Sequence, residues 1–151
     1  MQIAEIMTRE VTTLSPKNTA LEIAAILAEH KVSGAPVVDE DRKVLGMVSE
    51  GDMLPRLRRL PFGRSKIPTL FNAFTDDLSL EELFRQSSER TAEELMTTPA
   101  ITIAEDREVM EAALLMTEHE VNRLAIVHED ETLAGILTRS DIVRALARKA
   151  E

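Results

Sequence analysis

Apolar residues recur along the chain in two alternating rhythms. Leu21, Ala24, Ala25, Leu27 and Ala28 fall at helical spacing after the turn chemistry of Ser15-Pro16-Lys17-Asn18. This predicts a helix capped by Asn18 or Thr19 and running to about His30. Ahead of it, Thr12–Leu14 reads as a brief extended stretch. Beyond it, the short apolar runs Ala35–Val38 and Val44–Ser49 flank the polar turn Asp39–Lys43, a hairpin signal, and a further helix is expected from about Glu50. The same order returns later in the chain. Ile101–Ile103 is extended, a helix spans Asp106 to about His119, strands cover Leu124–Val127 and Leu133–Leu137, and a helix closes near Arg148.

The recurrence is a repeat. Residues 5–54 align on 94–143 without a gap, with identities such as Met7/Met96, Thr8/Thr97, His30/His119, Gly46/Gly135 and Asp52/Asp141. Self-similarity at a fixed period means one supersecondary unit used twice. Each unit reads β-α-β-β-α, and neither buries both faces of its strands and helices alone. Two units packed about a pseudo-twofold axis close the core, which predicts a mixed α/β (α+β) architecture. The units are expected over 1–58 and 91–151, with a connector at 59–90. That connector holds all four phenylalanines, Phe62, Phe71, Phe74 and Phe84, so a packed, partly helical insertion is expected. Ser79-Leu80-Glu81-Glu82 and Thr91-Ala92-Glu93-Glu94 both fit a capping box. Such an insertion covers a cleft, makes a subunit interface, or lies over the core.

Composition narrows the function classes. A chain of 151 residues with 44% apolar and 30% charged residues fits one soluble globular domain. With no cysteine there is no disulfide framework and no thiolate metal site, compatible with a cytoplasmic setting. The opening residues MQIAEIMTRE lack the pattern of a signal peptide, and no apolar run approaches the ~18–20 residues of a membrane span. The net charge of −9 repels phosphate backbones, and with no Trp or Tyr there is no base-stacking platform in either repeat. The basic run Arg56, Arg58, Arg59, Arg64 and Lys66 reads as a solvated face or a phosphate contact at an interface. Neither nucleic acid nor membrane is an expected partner.

The candidate chemistry lies in two matching stretches, Gly46-Met47-Val48-Ser49-Glu50-Gly51-Asp52 and Gly135-Ile136-Leu137-Thr138-Arg139-Ser140-Asp141. Each reads Gly, two apolar residues, a hydroxyl, two variable residues and Asp. The hydroxyl falls where strand becomes helix and the Asp in the first helical turn. A helix start offers N–H groups to an anion, and an ionised carboxylate accepts both hydroxyls of a ribose diol. The competing reading is an ordinary N-cap with an acid favoured by the helix dipole. His30 and His119 sit at the ends of the repeat helices, where a cation complements the dipole, and His128 is expected to face solvent. No spacing supports a zinc site or a nucleophile elbow, so no metal and no catalytic residue is expected.

Taken together, the repeats resemble a tandem pair of CBS domains, the modules named after cystathionine β-synthase (a Bateman module). The resemblance rests on Met7-Thr8 and Met96-Thr97, on Val32-Ser33-Gly34-Ala35-Pro36-Val37-Val38-Asp39, on Val121-Asn122-Arg123-Leu124-Ala125-Ile126-Val127, and on the two Gly-to-Asp motifs. Ala125 departs from the proline seen at Pro36. The resemblance implies a regulatory, non-catalytic module that needs no cofactor and binds AMP, ADP, ATP or S-adenosylmethionine between the repeats, often as a homodimer. It implies that Asp52 and Asp141 hold ribose hydroxyls and that Ser49 and Thr138 contact phosphate or ribose. Thr12, Thr13, Ile101, Thr102, Ala35 and Leu124 would wall the base. Glu50 lies beside Ser49, whereas Arg139 lies beside Thr138 and Arg123 approaches the same region. The Asp141 site is therefore expected to favour a phosphorylated nucleotide and the Asp52 site a less anionic ligand, or none. The remaining readings are a dimerising scaffold with a vestigial site, and an enzyme such as a nucleotide hydrolase.

Overall fold

The two apolar rhythms fold into two small sheets with helices against them. The structure is a computed structural model that describes residues 1–53 and 88–149. In the first repeat a 3₁₀ turn at Ile3–Glu5 precedes α1 (Ala20–Glu29), β1 (Gly34–Val38), β2 (Val44–Ser49) and α2 (Glu50–Met53). The second repeat holds α3 (Ala92–Leu95), β3 (Thr102–Ala104), α4 (Val109–Glu118), β4 (Arg123–Val127), β5 (Leu133–Thr138) and α5 (Arg139–Lys149). The Ser79–Glu82 capping box, the phenylalanines and the basic run lie outside the described residues, as does the rest of the expected connector up to residue 87. Among the described residues no helix is long and apolar enough to cross a membrane.

The two hairpins are copies down to their register. Gly34 pairs with Ser49 and Val37 with Gly46; Arg123 pairs with Thr138 and Ile126 with Gly135, and both ladders slip by a residue at the turn end. The third strand separates the repeats. β3 runs parallel to β4 from Thr102 to Ala104, but the expected Thr12–Leu14 strand reduces to a single bridge between Leu14 and Val37. The cause is local. Glu105 extends the second ladder by donating its amide to the Val127 carbonyl at 3.2 Å, and the equivalent first-repeat residue is Pro16, which has no N–H to give.

Helix starts match expectation at α1 and depart from it in part at α3 and α4. Thr19 caps α1, accepting from the Glu22 amide, while the Asn18 side chain instead accepts from Ser15 N at 2.8 Å and donates to Glu22. α4 begins at Val109 rather than Asp106. There the amide of Val109 donates to the Met1 carbonyl at 3.0 Å, and the chain's amino terminus pairs with Glu108 at 3.0 Å. Thr91 makes no N-cap bond, and its hydroxyl donates to Glu94 at 3.3 Å.

These bonds expose the organising feature: each repeat's opening segment is folded into the other repeat. Ile3 and Met7 are buried with Ile103, Val109, Ala112, Met116, Leu124, Ile126 and Leu137. Ala92 and Leu95 are buried with Leu14, Ala20, Ile23, Leu27, Val37 and Val48. The main chain repeats the exchange, with Thr8 and Ile136 bonding each other twice at 2.9 Å, and Met47 and Thr97 at 3.2 and 2.9 Å. Glycine is required where the segments cross. A Cβ on Gly46 would stand 2.5 Å from Met96 Sδ and 2.9 Å from the Thr97 carbonyl; one on Gly135 would stand 2.8 Å from both Met7 Sδ and the Thr8 carbonyl. The hairpin turns meet where Lys43 bridges Thr132, repeat-equivalent residues that mark the pseudo-twofold axis.

Candidate functional site

At the β5–α5 junction, Asp141 closes a reciprocal box with Thr138. Its Oδ2 accepts from the Thr138 amide at 2.8 Å and from the hydroxyl at 2.7 Å, while its own amide donates to Thr138 Oγ1 at 3.2 Å. This is a capping box with aspartate in the usual glutamate position. One helical turn on, Arg144 donates to Oδ1. Asp141 is 8% exposed. Burial pushes its carboxyl up, but the Thr138 hydroxyl, the Thr138 amide and Arg144 outweigh it and hold the group below the usual carboxylate range. The β2–α2 junction repeats the motif, with Asp52 Oδ2 accepting from Ser49 N at 2.8 Å and Ser49 Oγ at 3.1 Å. Both carboxylates are thus oriented by their own turns, as the capping reading requires.

Exchange of the opening segments places a cleft of about 190 Å³ between the repeats. Met47, Ser49 and Asp52 line it from the first repeat, and Thr97, Ala100, Ile101, Glu120, Val121, Asn122 and Arg123 from the second. Of the residues singled out in the sequence, Ser49, Asp52, Ile101 and Arg123 therefore converge. Arg123 lies across from Thr138 in its ladder, yet its guanidinium reaches the other repeat, donating to the Gly34 carbonyl at 3.0 Å and to the Ser33 hydroxyl. Burial lowers its pKa from arginine's ordinary value, and the Glu50 carboxylate nearby opposes that shift. The guanidinium stays cationic. Asp52 and Glu120 outnumber it on the cleft wall.

The other predicted residues are placed elsewhere. Ala35 and Leu124 are 0% exposed within the two cores. Thr102 borders a separate groove with Asp39, Lys43, Pro99 and Glu131, while Thr12 and Thr13 lie half-buried before Leu14. Arg139 donates to the Met116 carbonyl in the last turn of α4 at 3.2 Å, where a cation complements the helix dipole. His30 and His119 are the C-caps of α1 and α4, and the half-exposed His128 pairs through Nδ1 with Glu105 at 2.6 Å. Among the described residues no group of three or more His, Cys, Asp or Glu side chains is placed to hold a metal ion.

Sequence reasoning missed Met47, Thr97, Ala100, Glu120, Val121 and Asn122 as cleft residues. The Met-Thr openings were the available signal, because a repeated opening segment that is exchanged brings 96–101 over the first repeat's motif. Glu120 carries no such signal: it enters the cleft from a left-handed backbone, φ 54°, just past the end of α4.

Comparison with known proteins accounts for the duplication. The family model described as CBS domain matches twice, at residues 3–59 and 92–148. The CBS domain-containing protein CBSX1, chloroplastic, of Arabidopsis thaliana is 30% identical over 148 residues, covering 95% of this chain and 63% of the relative. A Methanopyrus kandleri protein of uncharacterised function is 31% identical over 144 residues, or 95% of this chain and 62% of the relative. The chain thus spans under two thirds of the length of these curated relatives. The crystal structure of the CBS-pair protein CBSX2 from Arabidopsis thaliana superposes with a TM-score of 0.78 at 27% identity, covering 99% of this chain and 96% of that one. CBSX2 in complex with AMP gives 0.73 at 26% identity, covering 99% and 98%. With two matched copies, a duplicated hairpin register and CBS-pair neighbours over almost its whole length, the chain belongs to the CBS-domain family as a tandem CBS pair.

Proposed function

We propose that the chain is a non-catalytic sensor that binds an adenine nucleotide of the AMP, ADP or ATP type between its repeats and reports occupancy to a partner molecule. The carrying observation is the cleft itself. It joins the Ser49–Asp52 junction of one repeat to Ile101 and Arg123 of the other, so a bound ligand touches both. The AMP complex of CBSX2 supports the ligand class. In this reading Asp52 takes the ribose hydroxyls, while Met47, Ala100, Ile101 and Val121 hold the base by aliphatic packing. The cleft is smaller than the ~300–1,000 Å³ of most ligand pockets, so binding requires the repeats to part or the phosphates to project outward. Where the repeats part, occupancy changes their orientation by as much as the ligand's differential affinity for the two arrangements allows. The Asp141 junction, flanked by Arg139 and Arg144, is the second ligand position of the proposal and the more favourable of the two to a phosphoryl group.

Calorimetry with AMP, ADP, ATP and S-adenosylmethionine on the wild type, Asp52→Ala and Asp141→Ala tests this. Loss of a charge-assisted pair of bonds should cost about 1.5–3 kcal/mol of affinity at the site concerned. A ligand at about 100 times its Kd should add about 2.7 kcal/mol to stability. One observation favours a second reading, a dimerising scaffold: each carboxylate is already bonded by its own turn. No thermal shift with any of the four ligands selects the scaffold.

A homodimer and a cytoplasmic setting complete the proposal. Leu21, Met110, Leu114, Val143 and Leu146 are each more than half exposed on α1, α4 and α5, and Leu21 and Met110 are repeat equivalents. Sedimentation velocity across a concentration series reads the assembly state.

A further inference from the structure

The two repeat helices, α1 and α4, end on the same cap. The amides of Lys31 and Glu120 donate to the Ala28 and Thr117 carbonyls at 3.3 Å, and those of Val32 and Val121 reach back to Leu27 and Met116 at 3.0 Å. Lys31 and Glu120 are repeat equivalents in the left-handed region, at φ 53° and 54°, where a helix end favours glycine or asparagine. Both repeats instead hold a long charged side chain there, and the two charges are opposite. Glu120 lines the cleft together with Asp52. The cation on that wall, Arg123, is engaged by the first repeat, donating to the Gly34 carbonyl and the Ser33 hydroxyl. The motif residues expected to set the charge act elsewhere: Glu50 is not among the cleft-lining residues, and Arg139 donates to the Met116 carbonyl. The α4 cap therefore supplies the second carboxylate that an entering ligand meets.

We propose that Glu120 is a specificity-determining residue of the cleft, turning it toward nucleosides with an uncharged 5′ group and away from anionic ones, while Lys31 sets the opposite preference at the Asp141 junction. The role rests on the nucleotide reading above. The pseudo-twofold relation carries Glu120 onto Lys31 and Asp52 onto Asp141. It extends to the bonds behind the caps, since the Ser33 carbonyl accepts from Glu50 N at 2.9 Å and the Asn122 carbonyl from Arg139 N at 3.1 Å. Lys31 thus stands to Asp141 as Glu120 stands to Asp52. A phosphate monoester carries about 1.5–2 negative charges at pH 7, and the free nucleoside carries none. A carboxylate held by its cap at the cleft wall repels the first and is indifferent to the second. One chain then holds two positions that sort ligands by charge.

The test compares AMP with adenosine by calorimetry on the wild type, Glu120→Gln, Glu120→Lys and Lys31→Glu, with Asp52→Ala and Asp141→Ala assigning each isotherm to its junction. AMP and adenosine share base and ribose, so their affinity ratio isolates the 5′ charge. Glu120→Gln keeps the size of the side chain and should raise AMP affinity at the Asp52 cleft by about three- to tenfold, with adenosine within about twofold. Glu120→Lys, which copies Lys31, should raise it further. Lys31→Glu should lower AMP affinity at the Asp141 junction and leave adenosine there nearly unchanged. The Glu120→Gln gain should shrink as salt is raised to about 1 M, where the screening length falls to about 3 Å. Equal gains for AMP and adenosine, or a gain that salt leaves intact, would mean that the substitution only relaxes the cap, and would overturn the selecting role. Should the wild type bind neither ligand, the nucleotide reading falls and the selector with it. Binding of both ligands at a ratio that Glu120→Gln leaves unchanged overturns the selector alone.

Discussion

The cores of the two repeats hold similar bulk in opposite places. In the first core the helix contributes Ile23 and the visiting segment contributes Ala92; in the second the helix contributes Ala112 and the visitor Ile3. Ile23 and Ala112 are repeat equivalents, as are Ala92 and Ile3, and all four are 0% exposed. One core holds a large helix residue and a small visitor at these positions, and the other a small helix residue and a large visitor. Each core is filled by both halves at once.

The largest effect should come from breaking that complementarity. Ile3→Ala removes a fully buried side chain from the second core and should cost about 2–5 kcal/mol. Ala112→Ile alone overpacks the same core and should cost about 1–3 kcal/mol. The double variant should lose clearly less than the two losses added, as read from urea midpoints. A plain sum would show that the two positions do not share volume, and the comparison would fail. Next in size, Gly46→Ala and Gly135→Ala should each cost about 1–3 kcal/mol, and by similar amounts, since each new methyl meets a methionine sulfur and a threonine carbonyl of the opposite repeat.

The junctions sharpen the contrast at smaller scale. Asp141→Asn should destabilise by about 0.5–2 kcal/mol at neutral pH, the usual worth of a cap, because Thr138 and Arg144 both bond its carboxylate. Its carboxyl is held below the usual range, so its contribution is complete above the unfolded value of about 3.9. That contribution is lost as pH falls through the lower, folded value. Thermal melts from pH 7 downward should show a flatter acid limb for Asp141→Asn than for the wild type.

Much of the fold was legible because helical and strand periodicity are local properties. Both repeat helices, both hairpins and both Ser/Thr-x-x-Asp turns follow from residues within a few positions of one another. What escaped depends on distant partners. α4 starts at Val109, the repeat equivalent of Ala20, and its amide bonds the Met1 carbonyl just as the Ala20 amide bonds the Arg90 carbonyl of the other repeat. The loss of the Thr12–Leu14 strand follows from Pro16, but only once a parallel ladder needs its missing amide. The candidate site was half legible for the same reason. Ser49 and Asp52 share one motif, whereas Glu120 and Arg123 reach them only through packing between repeats.

The smallest effect tests whether the two halves are tuned to different charge. Lys31 and Glu120 are repeat equivalents, both in the left-handed region at φ 53° and 54°, where a side chain costs roughly 1 kcal/mol relative to glycine. Lys31→Gly and Glu120→Gly should therefore each stabilise slightly, by a few tenths to about 1 kcal/mol, since glycine's greater unfolded entropy offsets part of the relief. Their binding effects should diverge. Glu120 shares the cleft wall with Asp52 and Arg123, so its removal takes away a carboxylate that repels a phosphoryl group. AMP affinity should rise with Glu120→Gly and adenosine affinity should change little. Equal changes in AMP affinity from Lys31→Gly and Glu120→Gly would mean that backbone relief, and not cleft charge, governs the ligand.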